Sequence, residues 1–190
     1  MHALPPLPPL PGPPPPPPVV AMPASFFREL RGRRVIVGVP GVGFRNDLRA
    51  DDPIVNGGRT FVPVLTEQDY YRAEIEQVEV FAPLVPIDRV WVEHLADQAG
   101  QLPPAPAALD EPPRHDPTLA VAATSVLGRR VIQAVPDGYV RDLRAVSAVF
   151  VNDAGRPRLR VCGEPEWYRW AHSGTTPSTV EVNADAVWVE

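Results

Sequence analysis

Residues 32–40 read GRRVIVGVP and residues 128–136 read GRRVIQAVP, seven identities in nine positions. After a one-residue adjustment, Asp47-Leu48-Arg49-Ala50 matches Asp142-Leu143-Arg144-Ala145 at all four positions. Beyond a loop of unequal length, residues 59–93 align with 156–190 without a gap, at eleven identities in 35, and both copies end in VWVE. A chain that repeats itself in this way uses one structural unit twice. The unit is about 62 residues long, and a domain of that size buries only roughly 60% of the surface its unfolded chain exposes. The two copies are therefore expected to pack against each other as a pseudo-twofold pair, although the long linker also permits beads on a string.

Local patterns give the unit a mostly β character. Arg33 to Val39 is rich in β-branched residues and is punctuated by Pro40-Gly41, as its counterpart is by Pro136-Asp137-Gly138. Val55-Asn56-Gly57-Gly58-Arg59 and Val151-Asn152-Asp153-Ala154-Gly155-Arg156 are turn residues between apolar, β-favouring runs, so each copy is expected to carry a hairpin there. Strands should continue through residues 60–65 and 158–162 and close with 90–92 and 187–189. Thr66-Glu67-Gln68-Asp69 has the form of a helix-capping box opening a helix to about Ile75. The matching segment holds Pro165, Ser173 and Gly174, so a short helical turn is the most both copies are expected to share. Five short strands and tight turns in this length suggest a small, partly open barrel, SH3-like or similar, by analogy of size and pattern.

Proline marks the segments outside the repeat. The chain has 27 prolines in 190 residues, well above the roughly 5% of average usage. The expected organisation is a proline-rich, disordered or polyproline tail over 1–27, β module 1 over 31–93, a Pro/Ala-rich linker over 94–127 and β module 2 over 128–190. The tail reads LPPLPPLPG and then six prolines. That favours the polyproline II helix, which aromatic grooves bind at low entropic cost and which also serves as a solvated spacer. Residues 3–27 are uncharged for long enough to span a membrane, but eleven prolines between Pro5 and Pro18 prevent a helix there. With no membrane segment and no secretory signal read from the sequence, the protein is expected in the cytoplasm.

All 18 basic residues are arginine, and the formal net charge is −5. Module 2 is neutral overall, so a generally basic nucleic-acid surface is not indicated. Cys162 is the one cysteine, which leaves the fold to stand on packing without an intramolecular disulfide or a cysteine-based zinc site. The four histidines have no metal-ligand spacing, and no serine sits in a nucleophile elbow. No catalytic residue, metal or cofactor is assigned.

Two residue groups remain as candidates. Asp47/Asp142, Arg49/Arg144, Glu67/Glu164 and Arg72/Arg169 stand at matching positions of both copies, as do Tyr71/Tyr168, and carboxylate–guanidinium pairs of this kind can fix a loop to a barrel. The other group is a possible binding surface. Arg156, Arg158 and Arg160 recur at strand period two, followed by Trp167, Tyr168 and Trp170, a combination that can grip a polyanion and stack on bases. Trp91 and Trp188 alternate with valines and are expected in core or interface packing, with surface recognition as the alternative.

The sequence thus favours a non-enzymatic tandem β-module binding or adaptor protein. Its partner is expected to be another protein, held through the paired barrels, the polyproline tail or both. Nucleic-acid or polyanion binding by module 2, and a structural role in a larger assembly, are the alternatives.

Overall fold

The computed structural model describes residues 12–96, 112 and 116–190. It contains two similar curled antiparallel sheets, each a half-barrel of seven strands with one α-helix against it. The disorder expected of residues 1–11, and most of the expected linker, lie outside the described residues. No described helix is long and apolar enough to cross a membrane.

The first sheet comprises β1 (Val19–Pro23), β2 (Arg34–Val39), β3 (Gly43–Ala50), β4 (Ile54–Asn56), β5 (Arg59–Thr66), β6 (Leu84–Pro86) and β7 (Val90–Leu95). Its strands run in the order β1-β7-β2-β3-β5-β4, with β6 also on β5. The second sheet comprises β8 (Thr118–Leu119), β9 (Arg130–Val135), β10 (Gly138–Ala145), β11 (Phe150–Val151), β12 (Pro157–Gly163), β13 (Val180–Asn183) and β14 (Val187–Val189). Its order, β11-β12-β10-β9-β14-β8, repeats that of the first. The unit is larger than the sequence repeat, and the added pieces come from segments grouped with the tail and linker. Val19–Pro23 pairs antiparallel with Trp91–Leu95, and Thr118–Leu119 pairs with Trp188–Val189. Ala24 and Ala120, which follow these strands, are both fully or almost fully buried. The run Val19-Val20-Ala21-Met22 is apolar and can form strand hydrogen bonds, but prolines on both sides conceal it.

Each module has its own core, built mainly of valine. Strand alternation sends Val35, Val37, Val90 and Val92 inward with Leu30, Val62 and Val64. Val131, Val187 and Val189 do the same in module 2, with Val126, Leu159 and Val161. Arg34, Ile36, Trp91 and Glu93 lie on the opposite face of those strands, where Arg34, Ile36 and Trp91 are buried, as are their counterparts Arg130, Ile132 and Trp188.

The turns follow the residues that make them. Asn56 pairs with Arg59 across a two-residue loop whose Gly57 and Gly58 both have positive φ, 58° and 75°. That is the twist a tight hairpin needs and which glycine adopts without a Cβ clash. Module 2 closes the longer turn differently, with Asn152 Oδ1 accepting from Ala154 N at 3.1 Å and Arg156 N at 2.9 Å.

Helix α1 spans Glu67–Glu76, capped by Thr66, whose hydroxyl oxygen accepts from Asp69 N at 3.1 Å. Its counterpart α2, Glu164–Ser173, has the same ten-residue length, which corrects the expectation of a bare turn. Pro165 falls in the first helical turn, where its missing N–H leaves no bond unmade, and Gly174 terminates the helix in the left-handed conformation.

Candidate functional site

The repeat-shared charges converge where the two modules meet. Glu67 and Glu164 are the first residues of α1 and α2, so each carboxylate sits at a helix N-terminus, which favours negative charge. Both are almost completely removed from solvent. Arg49 lies 3.2 Å from Glu67 in its own module and also meets Glu164 of the other. Arg144 does the converse, 3.1 Å from Glu164 in its own module and 2.8 Å from Glu67 across the seam.

Two β-bulges complete the exchange. The pairing of β2 with β3 shifts between Val35 and Val37, and that of β9 with β10 shifts between Val140 and Leu143. The extra residues include Asp47 and Asp142, at φ 57° and 61°. A bulge re-aims a side chain, and aspartate tolerates the left-handed region better than most residues. Asp47 consequently reaches Arg130 at 2.8 Å, and Asp142 reaches Arg34 at 3.1 Å and Arg49 at 2.9 Å, each in the opposite module.

Arg34 and Arg130 are the centre of the cluster, and sequence reasoning missed them. Arg34 contacts Glu164 at 3.0 Å and Glu190 at 2.8 Å, and Arg130 contacts Glu67 at 2.8 Å and Glu93 at 3.3 Å. Their identity in both GRRVI segments was the available signal, but a strand start reads equally well as solvent-facing. Several of their nitrogens make no aligned hydrogen bond, including Nε and Nη2 of both residues, so these meet the carboxylates through charge proximity. Tyr71 and Tyr168 stack at 5.1 Å across the seam. Tyr71 donates to Glu164 at 3.3 Å, and Tyr168 donates to Glu67 at 2.9 Å.

The residue types of the cluster depart from twofold symmetry at Arg141. Arg141 donates to Glu190 at 2.9 Å, whereas the corresponding residue of module 1 is Asn46. The cluster therefore holds six carboxylates (Asp47, Glu67, Glu93, Asp142, Glu164, Glu190) against five guanidiniums (Arg34, Arg49, Arg130, Arg141, Arg144). Burial raises the Glu190 pKa, but Arg34 and Arg141 more than offset it and hold the acid below its usual range. Burial also raises that of Glu93, where Arg130 offsets only part and Glu190 adds repulsion, so Glu93 ends above its usual range. Burial opposes the Glu67 carboxylate as well, yet Arg130, Arg49 and Arg34 bring its pKa down.

The remaining sequence candidates are distributed elsewhere. Arg72 pairs with Glu76 one helical turn away at 3.0 Å, and Arg169 makes none of the cluster's contacts. Arg158 lies 3.7 Å from Glu181, Arg160 sits over the Phe150 ring at 5.4 Å, and Arg156 is exposed. The three aromatics of α2 diverge: Tyr168 turns into the cluster, while Trp167 packs beside Gly128 and against Trp170, which is partly exposed. Cys162 is buried, and burial pushes its thiol pKa up to about 11.

Trp91 and Trp188 occupy a second repeated arrangement, at the hairpin ends of the sheets. Trp91 meets Phe44 edge to face at 5.6 Å, and Trp188 meets Tyr139 in the same way at 6.3 Å. In module 1 the Phe44–Trp91 face, with residues 38–43 and Arg89, lines a cavity of about 580 Å³. In module 2 the Tyr139 hydroxyl donates to the backbone carbonyls of Pro14 and Pro15, both at 3.0 Å.

Fold and site together define a fused pseudo-dimer: two copies of one half-barrel joined by a buried, reciprocal ion cluster and carrying an aromatic pair on each copy. No protein-family model, curated protein or solved structure matches this chain.

Proposed function

We propose that this chain is a non-enzymatic binding protein whose two modules present aromatic faces to segments of other proteins. The ion cluster is the locking device of that scaffold, because each of its buried carboxylates is already engaged by a guanidinium and its hydroxyls are spent on carboxylates. The observation that carries the reading is the engagement of Tyr139, beside Trp188, with two successive backbone carbonyls of an extended segment. An aromatic face that holds extended backbone is the usual means of recognising proline-rich peptides. The Phe44–Trp91 face supports the same use with a different preference, since it lacks the phenolic hydroxyl and has Arg89 at its rim.

The test is to pan a random peptide library against the full chain and measure the selected peptides by calorimetry on wild type, on Phe44→Ser with Arg89→Ala, and on Tyr139→Ser. Both changed faces are partly solvent-accessible, so the fold should persist. Loss of at least tenfold in affinity on one of the variants supports the reading. Equal affinity for all three proteins, or a library that yields no binder, overturns it.

A further inference from the structure

The tail residues that meet Tyr139 belong to the same chain, and that has a regulatory consequence. Pro14 and Pro15 offer carbonyl acceptors and no N–H, so a donor such as a phenolic hydroxyl is the complementary group. Pro16, the next residue, is buried, and so are Val19 and Val20 at the start of β1. Pro18 O accepts from Ala96 N at 2.9 Å, extending the β1–β7 ladder of module 1 and fixing the segment to that sheet at its other end. The segment is therefore anchored on both sides of Pro16, and it crosses from the module 1 sheet onto the aromatic face of module 2.

Resting on the binding function proposed above, we propose that the Tyr139–Trp188 face is a polyproline site occupied in cis by residues 13–18. A proline-rich segment of another molecule then binds there only by displacing the tail. Three features on the molecule select this ligand chemistry. The hydroxyl reads two consecutive carbonyls rather than a side chain. The Tyr139 ring, half-buried and held edge to face against the buried Trp188, fixes the direction of that hydroxyl. Residues 3–27 carry no charge, so the cis contact is apolar and hydrogen-bonded and should be insensitive to salt. Module 1 cannot duplicate the site, because Phe44 stands where Tyr139 does and has no hydroxyl. Cis occupancy lowers the apparent affinity for a competing ligand in proportion to the small fraction of molecules whose site is vacant.

The probe is a synthetic peptide with the sequence of residues 7–18, titrated into full-length protein while the indole N–H signals of Trp91 and Trp188 are followed by NMR. The variant is the full chain with Pro14→Gly, Pro15→Gly and Pro16→Gly, which leaves β1 intact. The midpoint of the Trp188 shift is expected at a peptide concentration at least tenfold lower in the variant than in wild type. Adding Tyr139→Phe to the variant should raise that midpoint roughly three- to tenfold, the worth of a net hydrogen bond, with no change in the Trp91 signal. Equal midpoints in wild type and variant overturn cis occupancy. A peptide that moves Trp91 and leaves Trp188 unmoved overturns the site while the binding function stands. A peptide that moves neither indole also overturns the inference, and the library selection on the Phe44 face then decides the broader reading on its own.

Discussion

Arg130 and Asp47 meet at 2.8 Å although they belong to different modules, and Arg34 and Asp142 mirror them at 3.1 Å. Each arginine is the first residue of its strand, β2 or β9, and each aspartate sits in a bulge of the neighbouring strand. The exchange is reciprocal, as in an isologous dimer interface, and it accounts for how two very small units stand without an intramolecular disulfide.

Removing one member of such a buried pair leaves its partner charged and uncompensated, which typically costs about 3–5 kcal/mol. Glu67→Ala and Glu164→Ala should each lower unfolding stability by that amount in denaturant titrations. Arg72→Ala, which breaks only the solvent-screened pair with Glu76, should change it far less. Comparable losses for cluster and surface variants would remove the cluster's structural role.

The tyrosine hydroxyls offer a finer probe. Tyr71→Phe and Tyr168→Phe keep the stacked rings; the first deletes the bond to Glu164, and the second deletes both the bond to Glu67 and the one the hydroxyl accepts from Arg144 at 2.9 Å, each bond to a charged group being worth roughly 1.5–3 kcal/mol. The Tyr168 variant should be the more costly, since its bond to Glu67 is 2.9 Å against 3.3 Å for Tyr71 to Glu164. Thermal unfolding of the two variants side by side checks the order.

Acid should act on the cluster in two stages. Glu67 and Glu190 have folded pKa values below the ordinary 4.5, so the unfolded chain takes up their protons first. Their stabilisation is complete above about pH 4.5 and is lost as pH falls through the lowered values. Glu93 has a folded pKa above 4.5, so its effect has the opposite sign: it destabilises at neutral pH and is relieved as pH falls through its raised value. Stability should therefore rise slightly on acidification toward pH 4.5 and then fall. Glu93→Gln should abolish the rise and stabilise the protein at pH 7, whereas Glu67→Gln should flatten the fall. Urea midpoints between pH 8 and pH 3.5 measure all three curves.

Gly38 tests the aromatic face of module 1. A Cβ there would come within 3.0 Å of the Trp91 ring, while module 2 carries Ala134 at the corresponding position. Gly38→Ala should retain the fold at a cost of roughly 1–3 kcal/mol and shift the Trp91 indole signal without moving that of Trp188. An unmoved Trp91 signal would contradict the packing described.

What the residues disclosed, and what they hid, follows from the range of the interactions. Duplication, hairpins and the Thr66 cap are local and were legible. Helix α2 was obscured because Pro165 reads as a breaker when its place in the first turn is unknown, and β1 was obscured by the prolines around it. For the site, the matched Asp47/Asp142, Arg49/Arg144 and Glu67/Glu164 pointed to ion pairs that fix a loop to a barrel, without indicating which module supplies each partner. The own-module contacts exist, yet most of the network crosses the seam, in part through the bulges at Asp47 and Asp142, and no one-dimensional spacing encodes a bulge's aim. Arg72 and Arg169 are repeated equally well and lie outside the cluster, so repetition alone did not separate core charges from surface ones.

The most direct measurement of the central claim is to place a specific protease site within residues 97–111, cleave the folded chain and run size-exclusion chromatography at neutral pH. A pair of modules locked by the Arg34–Arg130 cluster will co-elute as one species with the volume of the uncut chain, and will separate when Glu67→Ala and Glu164→Ala are combined. Halves that separate in the unmutated protein would contradict the account.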